Sequence, residues 1–234
     1  MGFFKNIWNK AKKIGKSIFR TGNKIGKVIN QTISNKETIT REQISKEEAE
    51  ALLISRQAYR KPPLNSVGEY ILQPNVTNET TVVYKNPNNE IFIGYRGSKV
   101  AKDWTSSNIS IIAHKESENQ RFNDDLAYFD IIMNTIKPNS VKIVGHSLSG
   151  LIVMYINSLR NNIKKVYAIN PAFNLNAFNK YYKPNVLIIK TLNDVVSSLA
   201  SFSKYPVKTI QSQYDDDITF MNVLKSHGLG SILD

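Results

Sequence analysis

The sequence predicts an α/β protein, a mostly parallel central sheet with helices on both faces, and three observations carry that prediction. Segments of strand and helix character alternate through its second half. A β-branched run passes into an apolar helical run through a Gly/Ser-rich turn, VKIVGHSLSG at 141–150. The chain has 234 residues, 41% of them hydrophobic, enough for one sizeable core.

Three zones follow one another along the chain: a basic amphipathic segment over residues 1–36, a linking helix within 37–64, and a compact domain over 65–234. The first zone holds nine of the 31 basic residues and no acidic one, so it carries +9 of the net +12. Its apolar residues, Phe3, Phe4, Ile7, Trp8, Ala11, Ile14, Ile18, Phe19, Ile25, Val28 and Ile29, are spaced mostly by three and four, which draws one stripe on a helix with lysines opposite. Gly15, Gly22 and Gly26 each cost about 1 kcal/mol against Ala, so this helix is marginal in water and gains order on a surface.

The second zone opens with Ser45 and, three residues on, Glu48, the signature of a capping box; the helix is expected over 45–60, stopped by Pro62 and Pro63. In the third zone TTVVYK (80–85) and EIFIGYR (90–96) flank the turn-forming NPNN, a hairpin. A strand at 109–113, a helix at 121–136, a strand at 141–144, a helix at 148–160 and strands at 165–169 and 186–189 complete the order. Strands alternating with helices call for parallel pairing, and ligand chemistry in such sheets gathers at the carboxyl ends of the strands.

Composition excludes several classes of chemistry. With no cysteine, disulfides, thiolate catalysis and cysteine-based zinc sites are ruled out. The longest uninterrupted apolar run, 151–156, is far short of the ~20 residues a membrane-spanning helix needs, and lysines interrupt every window that a secretory signal would require. Neither a transmembrane helix nor a signal peptide is expected.

Ser147 stands at the strand-to-helix turn. Gly145, His146, Ser147, Leu148 and Ser149 follow the G-x-S-x-G pattern of a nucleophile elbow except at the last position, and Gly150 comes one residue late. A serine hydroxyl needs an imidazole to take its proton and a carboxylate to hold that imidazole's tautomer. Of the three histidines, His146 adjoins the serine and leaves the elbow in another direction, while His114 precedes it and is assigned a structural role. The order serine, acid, histidine therefore selects His227. Asp194, which follows the strand in VLIIK, is preferred as the acid over Asp215, Asp216 and Asp217, a run that reads as a solvated turn.

Taken together, IFIGYRGS at 91–98, Asp103 with Trp104, AHK at 113–115, VKIVGHSLSG, NDVV at 193–196 and SHGLGS at 226–231 resemble the class 3 (fungal-type) lipases of the α/β-hydrolase fold. The resemblance covers about residues 65–234 and implies catalytic roles for Ser147 as nucleophile, Asp194 as orienting acid and His227 as general base. It further implies an oxyanion hole from Ser98 and the backbone N–H of Leu148, and a lid over about 99–108 with Trp104 as hinge or packing aromatic. Chemistry of this kind uses no cofactor and no metal. Ser149 where the family has glycine, and Val196 where it commonly has proline, depart from the pattern.

The expected function is a serine-dependent carboxylic ester hydrolase, a lipase or phospholipase, acting on lipid esters through an acyl-enzyme, with residues 1–36 docking it peripherally on anionic membrane surfaces. Arm and esterase together would also suit a protein that breaches membranes. Nucleic acid is disfavoured as a partner because the aromatics lie on the apolar stripe rather than among the lysines. The alternatives are a non-catalytic membrane-binding or membrane-disrupting protein on a hydrolase scaffold, and an esterase for soluble substrates whose arm serves partner assembly or packs on its own domain.

Overall fold

The predicted hairpin is where the sheet, nine-stranded among the described residues, passes from parallel to antiparallel pairing. The computed structural model describes the backbone of residues 38–39 and residues 44–97, 120–172, 180–192, 194, 197 and 204–210. Within them the elements run β1 (Thr38–Ile39), α1 (Lys46–Gln57), β2 (Ser66–Val67), β3 (Tyr70–Leu72), β4 (Thr81–Lys85), β5 (Glu90–Tyr95), α2 (Gln120–Ile136), β6 (Ser140–His146), α3 (Leu148–Leu159), β7 (Lys165–Ile169), β8 (Val186–Thr191) and β9 (Val207–Ile210). The spatial order is β1-β9-β8-β7-β6-β5-β4-β3-β2. Strands β5 to β9 and β1 pair in parallel, whereas β2, β3 and β4 add to β5 as an antiparallel meander.

Side-chain alternation along the strands feeds two cores, one on each face. Ile91, Ile93 and Tyr95 of β5 and Val141 and Ile143 of β6 point toward α2 and α3, joining Phe122, Phe129 and Ile132 and the apolar run Leu151–Ile156. Phe92, Val144, Tyr167 and Ile189 point the other way, toward Ala51, Leu52 and Ile54 of α1. The expected α/β architecture, a mostly parallel sheet with helices on both faces, is thus present. The strand expected at 109–113 lies outside the described residues, as does the basic segment 1–36.

Helix α1 is one of the covering layers rather than a tether. Its capping box is formed: the Ser45 hydroxyl accepts from the Glu48 N–H at 3.3 Å and Glu48 Oε2 accepts from the Ser45 N–H at 2.9 Å. It ends at Gln57, three residues before the expected Arg60, and 58–61 form a turn. It approaches the sheet closely because β5 carries a glycine there: a Cβ on Gly94 would lie 2.9 Å from the Ile54 carbonyl oxygen. Carboxylates complete the docking. Lys142 Nζ of β6 meets Glu47 Oε2 at 2.7 Å, Lys208 of β9 pairs with Glu48 at 2.6 Å, and the Tyr167 hydroxyl donates to Glu47.

Candidate active site

Strand β6 hands over to α3 at Ser147, whose φ of 61° and ψ of −123° lie where an L-residue is strained by about 1–3 kcal/mol. Surrounding contacts hold it there. The Ser147 N–H donates to the Ile169 carbonyl at the end of β7 at 3.0 Å, and the Ser147 carbonyl accepts from Gly150 and Ala172, each at 3.0 Å. Gly145 makes the elbow possible, since a Cβ there would sit 2.1 Å from the Ser149 carbonyl oxygen. Gly150 lets the helix pass Pro171, where an added Cβ would come within 2.9 Å of the proline Cβ.

The departure from the motif at Ser149 has a structural use. Its hydroxyl, fully buried, accepts from the His146 N–H at 2.9 Å and has the Tyr95 carbonyl at 2.7 Å and the His146 carbonyl at 2.9 Å as acceptors for its own hydrogen. Where a glycine would leave a gap, the serine ties the elbow to the end of β5.

Leu148 is the first residue of α3, so its N–H has no intrahelical acceptor, and Ser147 supplies no side-chain cap. That donor points out of the helix N-terminus, where the helix dipole favours negative charge. Asp194 lies on the same rim beyond the end of β8 and is 1% exposed. Its Oδ2 accepts from the Ser197 N–H at 3.1 Å and from the Ser197 hydroxyl, which fixes the carboxylate. β6 and β8 are separated only by β7, so their ends lie ~10 Å apart along the rim. The ends of β7 and β8 are laced together: Asn170 Oδ1, just after β7, accepts from the Thr191 N–H at 2.9 Å.

His146 turns away from the elbow as expected, with its ring edge-on to Tyr59 and its Nδ1 2.9 Å from the Tyr59 hydroxyl. The same phenolic oxygen accepts from the Gly97 N–H at 2.9 Å, so one oxygen joins residue 97 to His146. Although 36% of Tyr59 is exposed, its hydroxyl is turned inward, and burial pushes its pKa up to about 12 against the opposing influence of the Gly97 N–H, Arg96 and Arg121.

The structure therefore brings Ser147, Leu148 and Asp194 to one edge of the sheet. Ser98, Trp104 and His227 lie outside the described residues, as do His114 and Asp215, Asp216 and Asp217. Sequence reasoning missed Tyr59, Ser149 as an elbow tie, and Ser197. Ser197 had a local signal, an acceptor carboxylate at Asp194 three residues before a hydroxyl donor, and Ser149 another, a hydroxyl three residues after His146. Among the described residues, no group of three or more His, Asp or Glu is arranged to hold a metal ion, and no helix is long and apolar enough to cross a membrane.

No protein-family profile matches the sequence, and no curated protein sequence matches it. Among solved structures, similar chains include Rhizomucor miehei lipase in its propeptide complex, at 15% identity and a TM-score of 0.44 over 68% of this chain. The match spans 66% of that lipase's length, just under two thirds. A mutant form of MDLA from Penicillium cyclopium is similar at 15% identity and a TM-score of 0.45, covering 77% of this chain and 86% of its own. A lipase from Rhizopus microsporus var. chinensis is similar at 16% identity and a TM-score of 0.41, covering 71% of this chain and 72% of its own.

Proposed function

We propose that this chain is a serine-dependent carboxylic ester hydrolase acting on lipid esters, as a lipase or phospholipase, at membrane surfaces. The observation that carries the reading is the strained elbow: Ser147 at a φ of 61°, at the carboxyl edge between β6 and α3, with the buried Asp194 carboxylate fixed on the same rim. A backbone held in an unfavourable region by three surrounding hydrogen bonds, at a strand-to-helix turn, is what a nucleophile elbow requires.

In the proposed reaction His227 takes the Ser147 proton as Oγ bonds to the ester carbonyl carbon. The carbonyl π electrons move onto oxygen, and the resulting oxyanion is met by the Leu148 N–H and Ser98. Collapse re-forms the carbonyl and breaks the ester C–O bond; the imidazolium protonates the departing alcohol, leaving an acyl group on Ser147. Water, deprotonated by the same imidazole, then releases the acid and restores the serine. Asp194 holds the imidazole in the tautomer that presents its basic nitrogen to the serine.

Ser147→Ala is expected to abolish p-nitrophenol release from short acyl esters and labelling by a fluorophosphonate. Asp194→Asn should lower kcat on the order of 10³- to 10⁴-fold. Unchanged turnover in Ser147→Ala would remove the hydrolase reading. The membrane half of the proposal rests on the charge and apolar stripe of residues 1–36. Replacing Phe4, Trp8 and Ile18 with serine in the full-length chain should reduce co-sedimentation with anionic liposomes and leave hydrolysis of a soluble ester unchanged. Equal sedimentation would end the docking idea. If docking and hydrolysis are both found, leakage of liposome contents on addition of the wild type, absent with Ser147→Ala, would extend the reading to membrane breaching.

A further inference from the structure

Both polar groups of a single peptide unit beside the candidate oxyanion hole are gripped by side chains from opposite faces of the sheet. The unit is that between Arg96 and Gly97, immediately after β5 and one residue before Ser98. Its N–H, on Gly97, donates to the Tyr59 hydroxyl at 2.9 Å. Its carbonyl, on Arg96, accepts from Arg121 Nη2 at 2.8 Å. Tyr59 follows α1, which covers one face of the sheet, and Arg121 opens α2, which covers the other. Arg121 is itself fixed, its Nε donating to the buried Asp125 carboxylate at 2.6 Å.

The grip extends to the elbow. The Tyr59 oxygen that holds Gly97 also lies 2.9 Å from His146 Nδ1, on the residue preceding Ser147. Gly97 is packed into that corner: an added Cβ would lie 2.7 Å from the His146 carbonyl oxygen, 2.8 Å from the Tyr59 hydroxyl and 3.4 Å from Ser147 Cβ. One phenolic oxygen therefore sets the spacing between the segment that leads to residue 98 and the segment that carries Ser147. Oxyanion donors act only when preorganised within tenths of an ångström of where negative charge develops, so the orientation of the peptide unit just before such a donor bears directly on rate.

We infer that Tyr59 and Arg121 are positioning residues that clamp the 96–97 peptide unit and so hold the end of β5 in register with Ser147 at the elbow. The inference rests on the proposed hydrolase reading. Neither side chain touches the reacting atoms; each acts through the backbone it holds.

The test uses full-length Tyr59→Phe, which removes one oxygen and keeps the ring, and Arg121→Lys, which keeps a charge but cannot serve Asp125 and the Arg96 carbonyl together. Competent sites are counted by fluorophosphonate titration, and kcat, KM and the affinity of a trifluoromethyl ketone transition-state analogue are measured per competent site. Each variant is expected to lose about ten- to hundredfold in kcat with KM little changed. Analogue affinity should fall in step with kcat/KM, and the double variant should lose less than the product of the two single effects because both act on one peptide unit. Wild-type kcat and analogue affinity per competent site in folded Tyr59→Phe would overturn the inference while leaving the hydrolase reading intact. Should Arg121→Lys fail to fold, Tyr59→Phe alone decides. A wild-type chain that neither hydrolyses esters nor takes the fluorophosphonate overturns the hydrolase reading and this inference with it.

Discussion

Gly145 and the Ser149 carbonyl oxygen approach each other so closely that a methyl group on the glycine would lie 2.1 Å from that oxygen. The obstacle is backbone in the first turn of α3, so no rotamer change relieves it. Gly145→Ala is expected to destabilise the fold by about 3 kcal/mol or more, whereas Gly150→Ala, which meets the ring of Pro171 at 2.9 Å, should cost less because the facing loop can shift. Urea denaturation of the two variants beside the wild type makes the comparison. A Gly145→Ala protein with wild-type stability would show that the strand and helix are not in contact at this point.

Strain at Ser147 gives a second prediction, in which stability and activity separate. Glycine occupies a φ of 61° without penalty, while alanine keeps the Cβ and with it the strain. After allowance for the greater freedom of glycine in the unfolded chain, Ser147→Gly should be more stable than wild type by about 1 kcal/mol, and Ser147→Ala should differ little. Both should fail to react with a fluorophosphonate. A Ser147→Gly variant less stable than Ser147→Ala would contradict the account of the elbow.

How much of this was legible in the sequence depended on whether a residue's partners were local. The strand at 165–169 and the helix beginning at Leu148 are set by their own apolar runs, and the capping box of α1 by two residues three apart, so each emerges from the sequence with sound boundaries. β1, β2, β3 and β9 are two to four residues long, and segments that short carry too few alternations to register; their pairing comes from the strand beside them. The packing of α1 on the sheet is harder to read from its sequence, because two of the residues it buries are Glu48 and Glu50. The Glu48 carboxylate is tolerated because the sheet beneath supplies Lys208. Gly94 inside a β-strand was the available signal of that close packing. Tyr59 had none, since its hydroxyl meets groups 38 and 87 residues away.

Ser149 provides a third prediction because its hydroxyl satisfies a buried N–H. Ser149→Ala leaves the His146 amide without its acceptor and should cost about 1–3 kcal/mol. Ser149→Gly, which makes the elbow conform to the strict pattern, loses the same bonds and should be no more stable than the alanine variant. Thermal melts of both check this; a stabilised Ser149→Gly would mean that the serine is a tolerated departure rather than a tie.

Acid should release α1 from the sheet, and the carboxylates beneath it determine the direction. Burial alone would raise the Glu48 pKa, but hydrogen bonds from Lys208 and from the Ser45 cap, with the charge of Lys208, outweigh it and leave the carboxyl below its ordinary 4.5. For Glu47 the same burial is outweighed by Lys142 and Tyr167, with Lys164 adding attraction. A carboxyl that binds its proton less readily in the folded state contributes stability that is fully present above about 4.5 and is lost as pH falls through that value toward the folded pKa. Glu50 acts in the opposite sense: burial holds its carboxyl above 4.5 despite Lys46 and Lys142, so its protonation favours the fold as pH falls. Glu48→Gln should therefore be less stable than wild type at pH 7 but lose less on acidification, the two curves converging toward pH 3, while Glu50→Gln should show a steeper acid loss than wild type. Urea midpoints measured from pH 7 to pH 3 test both signs at once, and parallel curves for wild type and Glu48→Gln would mean that the carboxylate contacts of α1 do not hold it on the sheet.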